Sequence, residues 1–243
     1  MTGFDMEFEA WREKLTENQA NNSDFASLSA AWLQKSVDLK YTYQFEWLGI
    51  PIIQLPADLV TFQEIVYKTK PDLIIECGVA RGGSLVFWAS IQSLCGVTPR
   101  VIGIDIDIRQ HALKAIHSSS FSKSIELVEA SSIEKSTIDR VKQLSSGANK
   151  IMVVLDSNHT HEHVLKELNS YSPLVSVGNY LLVLDTVIEH LEKDTTRPWG
   201  PGLSPYSAVT EYLKFDDSFE RQTFFEKRNA VSVAPGGFLL KVK

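Results

Sequence analysis

Residues 152–186 read MVVLDSNHTHEHVLKELNSYSPLVSVGNYLLVLDT: two apolar, strand-length runs, each closed by an aspartate and joined by one helix-length segment. Strands linked through such a crossover are expected to lie parallel in one sheet. Parallel neighbours sit about 4.8 Å apart, so Asp156 and Asp185 would end on one sheet edge, within reach of a single hard cation. Ligands of open α/β sheets bind at that carboxyl edge. Either aspartate alone reads as well as the cap of a following helix. As a pair, followed by His159 and Thr186, they read as a site.

The same alternation extends upstream. Apolar periodicity predicts a helix over 57–68, a strand over 73–77, a helix over 84–94, a strand over 100–106 and a helix over 109–117. A strand at 125–128 and a helix at 133–144 precede the opening pair, whose own crossover helix is 162–171. Strands and helices in this order, with right-handed crossovers, make an α/β fold: a Rossmann-like, doubly wound, mostly parallel sheet. Downstream, a helix is expected at 206–213. Segments 224–227 and 237–242 flank NAVSVAPGG and read as an antiparallel pair that would supply a C-terminal edge strand. The Gly- and Pro-rich stretch 190–205 is too irregular for either element and reads as a functional loop.

The chain has 243 residues, enough for one large domain with a sizeable core. Residues 1–45 are polar and helix-compatible, with Phe4, Phe8, Trp11, Leu15, Phe25, Leu28, Trp32 and Leu33 in loose apolar stripes. They read as a helical appendage, either a lid or an oligomer interface, on a domain at 46–243. A homo-oligomer is the expectation. With 24 basic against 30 acidic residues the net charge is −6, and no Lys/Arg run forms a phosphate-tracking stripe, so no nucleic-acid partner is expected. No apolar run approaches the ~20 residues that span a bilayer, and no membrane partner is expected. The opening MTGFDMEFEAWREK carries acids where an export signal carries a basic region. Cys77 and Cys95 match no zinc spacing and read as reduced buried thiols, consistent with a cytoplasmic location.

The strand at 73–77 runs into IIECGVARGGS, placing Glu76, Gly78, Arg81, Gly82, Gly83 and Ser84 at a turn into a helix, where glycine lets backbone approach a ligand. The spacing is neither a dinucleotide fingerprint nor a phosphate loop, which would need a lysine. RVIGIDID ends the next strand at Asp105, where related folds hold an acid against ribose hydroxyls. Asp107 reads as the cap of the following helix. LVEASSIE brings Ala130 and Ser131 to the end of the third strand. Gln54 and Asp58 lie just before the first strand and are candidate pocket residues, with a helix cap as the other reading of Asp58.

Four stretches together carry a family resemblance: residues 50–90 (IPIIQLPADLV through FWAS), GIDIDIR at 103–109, the opening stretch, and RPWGPGLSP at 197–205. In that order they resemble the cephalosporin hydroxylase/rhamnosyl O-methyltransferase family over about residues 45–215. The resemblance implies a class I S-adenosylmethionine (SAM) methyltransferase fold and SAM as cofactor. It also implies Glu76, Gly78, Arg81, Gly82, Ser84, Asp105, Ala130, Ser131 and Asp156 as cofactor-side residues. Similarity to metal-dependent catechol-type O-methyltransferases further implies Asp156 and Asp185, with Thr186, as ligands of a divalent ion such as Mg²⁺, and His159 as general base. An imidazole, with an ordinary pKa of about 6.5, suits that task near neutrality. His161 and His163 read as decoration of a helix start, since neighbours two apart point to different helix faces.

This chain departs from the family in one place: Leu184 stands where members can carry Glu before the fifth-strand Asp. The reduced ligand set is expected to hold Mg²⁺ more weakly. In the following loop, Trp199 offers a stacking face to a sugar or ring system and Arg197 a contact for an anionic group. The expected function is a SAM-dependent O-methyltransferase acting on a hydroxyl of a sugar or natural-product small molecule in biosynthesis. The alternative is a non-methylating SAM-fold subunit that assists a partner oxygenase.

Overall fold

The computed structural model describes residues 3–243, with side chains from Met6 onward. Phe4, named above in the N-terminal apolar stripe, has its side chain outside the described residues. In chain order the elements are α1 (Gly3–Ala20), α2 (Ser23–Asp38), β1 (Phe45–Trp47), β2 (Ile50–Ile52), α3 (Pro56–Thr69), β3 (Leu73–Cys77), α4 (Gly83–Leu94), β4 (Val101–Asp105), α5 (Gln110–Ser118), β5 (Ile125–Glu129) and α6 (Lys135–Leu144). There follow β6 (Ile151–Leu155), α7 (His161–Tyr171), β7 (Tyr180–Val183), α8 (Pro205–Tyr212), β8 (Phe219–Arg221), α9 (Thr223–Arg228) and β9 (Phe238–Lys241).

Strands β3 to β9 form one seven-stranded sheet in the order β5-β4-β3-β6-β7-β9-β8. The pairs β5/β4, β4/β3, β3/β6 and β6/β7 are parallel, and β9 runs antiparallel to both β7 and β8. The strand order reverses between β3 and β6, where an open sheet places its ligand crevice. β3 and β6 are buried at every position, as the continuous apolar runs LIIEC and IMVVL require of central strands covered on both faces. Alternation splits them between two cores. Ile74, Met152, Val154 and Leu182 pack with Phe62 and Trp88 of α3 and α4. Ile75, Val153, Leu155 and Leu181 pack with Val164, Leu168 and Val209 of α7 and α8.

The antiparallel C-terminal strand is present, but its partners differ from those expected. Residues 224–227 belong to helix α9, and β9 pairs instead with β8 and β7. The segment TFFEKR buries Phe225 on one helical face, and Glu226 accepts a 2.7 Å hydrogen bond from Gly236 N across the intervening loop. The three-residue FER strand was too short to stand out in the sequence. The β1/β2 hairpin also gave no sequence signal; its turn needs the positive φ of Leu48 and Gly49. Cys77 is buried and free, whereas Cys95 is only partly buried.

The N-terminal helices pack on the main body. Gln19 Nε2 donates to the carbonyls of Lys227 (2.9 Å) and Arg228 (2.8 Å) at the end of α9, and Lys227 pairs with Glu17 at 2.7 Å. Gln34 on α2 accepts from Glu192 N at 2.9 Å. Among the described residues no helix is long and apolar enough to cross a membrane.

Candidate active site at the carboxyl edge of the sheet

The strand ends determine what meets here. β3 and β6 are adjacent, and Asp156 N donates to Cys77 O at 2.8 Å, so Asp156 follows directly beside the Gly78 turn. Gly78 has φ +108°, and a Cβ built on it would lie 2.2 Å from the Asp156 carbonyl oxygen. Glycine is thus required both by conformation and by space. β7 lies on the other side of β6, and Asp185, in the left-handed region at φ 54°, turns the chain out of the sheet. Asp156, His159 and Asp185 each offer one donor atom, all within 4.8 Å of one another, and His159 Nδ1 lies 3.2 Å from Asp185 Oδ2.

Burial and the neighbouring Asp185 charge push the Asp156 carboxyl well above the usual carboxylate range. Two facing carboxylates in a low-dielectric site are held together only by a proton or a cation. Thr186 Oγ1 is fully buried and makes no hydrogen bond, and neither does Gln54 Oε1. The carboxylates, the imidazole and the orphaned Gln54 carbonyl fit a divalent ion and a polar ligand at this edge, whereas Thr186 lines neither of the cavities that meet here.

Two cavities meet at His159 and Asp185. One, of about 300 Å³, is lined by Gly78, Ala80, Asp105, Asp156, His159 and Asp185, so it crosses the ends of β4, β3, β6 and β7 in their spatial order. The second, of about 520 Å³, shares His159, Asp185, Thr42, Tyr43 and Val233 with the first, and is walled by α2 and the 191–200 loop. Trp199 stands edge-on to His159, with ring centroids 5.0 Å apart, and the Arg197 guanidinium lies over Trp199 at 5.3 Å. Thr42, Tyr43 and Val233 were missed by sequence reasoning, because nothing local marks a residue that a distant segment brings to a cavity.

Several expected cofactor-side residues also hold the turn. Gly82 has no Cβ because one would meet Ile116 Cγ1 of α5 at 2.8 Å, so its role is helix packing. Glu76 is fully buried, and its carboxylate accepts from Ser84 Oγ (2.8 Å) and Trp88 Nε1 (3.1 Å) of α4. Its partner Ser84 lines, with Arg81, the recess beside Gly78. Asp105 reaches the first cavity while its Oδ2 accepts from Val79 N (2.8 Å) and Ala80 N (3.3 Å), bracing the glycine turn. Ala130 and Ser131 follow β5 and line neither cavity; Ala130 N donates to Asp105 O at 2.8 Å. Asp107 caps no helix and pairs with Arg109 at 3.5 Å.

Asp58 is neither a cap nor a pocket residue. Buried within α3, it accepts from Ser232 Oγ (2.6 Å), Val233 N (2.8 Å) and Asn229 Nδ2 (3.3 Å), which anchors the loop that carries Val233 into both cavities. His161 contacts Ser207 Oγ (2.8 Å) and Glu211 (3.2 Å), and His163 contacts Ser132 Oγ (3.1 Å), so neither joins His159. Leu184 is buried in the core on the α3/α4 side.

Glu76 makes a testable contribution to stability. Burial pushes its carboxyl up from an ordinary 4.5 to about 7, against the two hydrogen bonds that lower it. The folded state therefore holds this proton more tightly than the unfolded chain. The resulting stabilisation is complete below about pH 4.5 and is lost as pH rises through about 7. Glu76→Gln keeps the Trp88 bond and can donate to Ser84 Oγ, without a titrating group. Between pH 4 and 8, denaturant melts of the wild type are expected to lose roughly 3 kcal/mol more than those of the variant. Parallel pH profiles would show that Glu76 is not the buried acid responsible.

A profile described as Rhamnosyl O-methyltransferase/CmcI matches residues 39–242. The rhamnosyl O-methyltransferase of Mycobacterium leprae is 29% identical over 198 residues, covering 80% of this chain and 82% of the relative. That of Mycobacterium tuberculosis strain H37Rv is 30% identical, covering 80% and 77%. Among solved structures, apo CmcI superposes with a TM-score of 0.62 at 21% identity, covering 83% of this chain and 77% of that one. A CmcI structure with Mg and SAM superposes at 0.58 and 20% identity, covering 83% and 78%. The last two establish a shared fold.

Proposed function

Because this chain belongs to the Rhamnosyl O-methyltransferase/CmcI family, whose mycobacterial members named above are rhamnosyl O-methyltransferases, we propose that it transfers the methyl group of SAM to a hydroxyl of a sugar or natural-product acceptor. The observation that carries the reading is the junction of two cavities at His159 and Asp185, with Asp156 beside them in the first cavity. The cavity beside the Gly78 turn takes the methyl donor and the larger one the acceptor. Bound SAM supplies the electrophilic methyl, and a divalent ion such as Mg²⁺ makes the acceptor hydroxyl more acidic and fixes its position.

The chain's own groups divide the remaining work. Gly78 admits the donor to the sheet edge, and Asp105 receives its ribose hydroxyls. Asp156 and Asp185 hold the ion. His159 Nδ1 lies 3.2 Å from Asp185 Oδ2, which keeps the imidazole at the junction as the group that takes the acceptor's proton. Trp199 sets the imidazole's tilt and offers its face to the acceptor. The walls from α2 and the 191–200 loop keep bulk water from the junction, and alignment of donor and acceptor does much of the rest. We read the appendage as the acceptor wall and, through exposed Trp11, Leu28 and Trp32, as a homo-oligomer contact in a cytoplasmic enzyme. A monomeric mass by light scattering would remove the oligomer.

Titration with S-adenosylhomocysteine (SAH) is expected to show binding, and SAH is expected to accumulate when SAM and glycoside acceptors are supplied with Mg²⁺. Absence of SAH binding at millimolar concentration would sink the reading. SAH binding without any methylated product would instead favour a non-catalytic subunit. His159→Gln is expected to lower turnover about 10²-fold, the usual share of a general base, with SAH and Mn²⁺ affinities unchanged. Loss of Mn²⁺ binding in that variant would make His159 a ligand rather than a base.

A further inference from the structure

Beside the Gly78 turn, Pro51, Ile53, Gln54, Arg81, Ser84 and Asp156 surround a recess of about 30 Å³. Gln54 is only 4% exposed there. Its Nε2 donates to Asp156 Oδ2 at 3.3 Å, while its Oε1 is buried and accepts nothing. A buried carbonyl left unpaired in a folded protein calls for a partner that belongs to the working state. The amide's orientation follows from its neighbour. A carboxylate that ligates a cation can only accept hydrogen bonds, so Gln54 keeps its NH₂ group on Asp156 and is left with its carbonyl for a donor in the recess.

A methyl donor placed along the strand ends brings such a donor at its amino-acid end, the ammonium. It also brings a carboxylate, for which exposed Arg81, one of the residues lining the same recess, supplies a guanidinium. We infer that Gln54 is a positioning residue that joins the amino-acid head group of the methyl donor to the Asp156 arm of the cation site. The inference rests on the proposed reading of this edge as a SAM and cation site, and adds a coupling between the two. An ion on Asp156 fixes the amide in the orientation that receives the head group, and the head group fixes it in the orientation that supports the ion. Such coupling is reciprocal: each ligand tightens the other by one common factor.

The test compares full-length wild type with Gln54→Met, which keeps the side chain's length and packing but has no amide. SAH and Mn²⁺ are titrated calorimetrically, each alone and in the presence of the other. 5′-Methylthioadenosine, which lacks the amino-acid head, serves as the control ligand. In wild type, Mn²⁺ is expected to tighten SAH binding about fivefold or more, and SAH to tighten Mn²⁺ by the same factor. In Gln54→Met, SAH binding is expected to weaken about tenfold, as for a lost hydrogen bond to a charged group, and the mutual factor to fall to about one. Methylthioadenosine affinity should not move. Unchanged SAH affinity, a retained mutual factor, or an equal loss for methylthioadenosine would overturn the role of Gln54 while leaving the SAM site intact. A wild type that binds neither SAH nor Mn²⁺ would overturn the reading of the whole edge with it.

Discussion

Asp156→Ala is expected to reduce ion-stimulated methyl transfer about 10³-fold or more, because several kcal/mol of charge stabilisation depend on an ion that Asp185 alone would hold poorly. Transfer is read as SAH formed with a glycoside acceptor, with and without EDTA, and ion binding as the loss of free Mn²⁺ signal by electron paramagnetic resonance. SAH affinity measured without added ion should fall far less than turnover, and by no more than in Gln54→Met, since Gly78, Ala80 and Asp105 still line the first cavity. A second result distinguishes function from structure. Asp156 lies half-buried beside Asp185, and both desolvation and that negative charge push its carboxyl up. The uncharged, isosteric Asp156→Asn should therefore melt higher than the ion-free wild type at pH 8, while being equally inactive. A residue retained at a cost to stability is the mark of a working site. Turnover unaffected by both EDTA and Asp156→Ala would refute the ion-assisted mechanism.

The parallel sheet was legible because its central strands are buried on both faces, and burial of that kind leaves an unbroken apolar run. The expected 73–77 strand coincides with Leu73–Cys77, and the two aspartate-terminated runs are indeed neighbours. Their carboxylates and His159 converge because strand ends share an edge, which topology alone guarantees. What escaped the sequence depends on partners remote in the chain. Gly82 looked like a ligand glycine, yet what it avoids is Ile116 on another helix. Asp58 looked like a cap, yet its hydrogen-bond donors Ser232 and Val233 arrive from the far end of the chain. Glu76 looked like a cofactor contact because its strand-end position is right, and only the packing of Trp88 and Ser84 shows that its carboxylate is already occupied. A short strand such as FER and a short helix such as TFFEKR carry too few residues for periodicity to separate them.

The contact between Gly78 and Asp156 belongs to both the site and the fold, and this makes Gly78→Ala a damaging addition of a single methyl group. Its Cβ would stand 2.2 Å from the Asp156 carbonyl oxygen and 2.7 Å from the carbonyl carbon, distances that only backbone movement can relieve. The residue's φ of +108° is unfavourable for alanine even without the clash. Neither β3 nor β6 can retreat easily, because Asp156 N donates to Cys77 O, and Gly78 N donates to Ile104 O at 2.7 Å. Left-handed strain and overpacking each contribute about 1–3 kcal/mol, for a combined loss of roughly 3–5 kcal/mol. At about 2–4 °C per kcal/mol for a chain of this size, the melting temperature should fall by roughly 6–20 °C. Binding should suffer more than stability implies, since the movement that relieves the clash separates the glycine turn from Asp156, which line the same cavity. SAH binding is thus expected to be lost even at temperatures where circular dichroism shows the variant folded. Gly147→Ala provides the control, because its φ is +79° but nothing lies within 4 Å of its added Cβ. That variant should show the conformational cost alone and bind SAH normally. If Gly78→Ala melted like Gly147→Ala and bound SAH like the wild type, the close approach of β3 to Asp156 would not be what shapes the site.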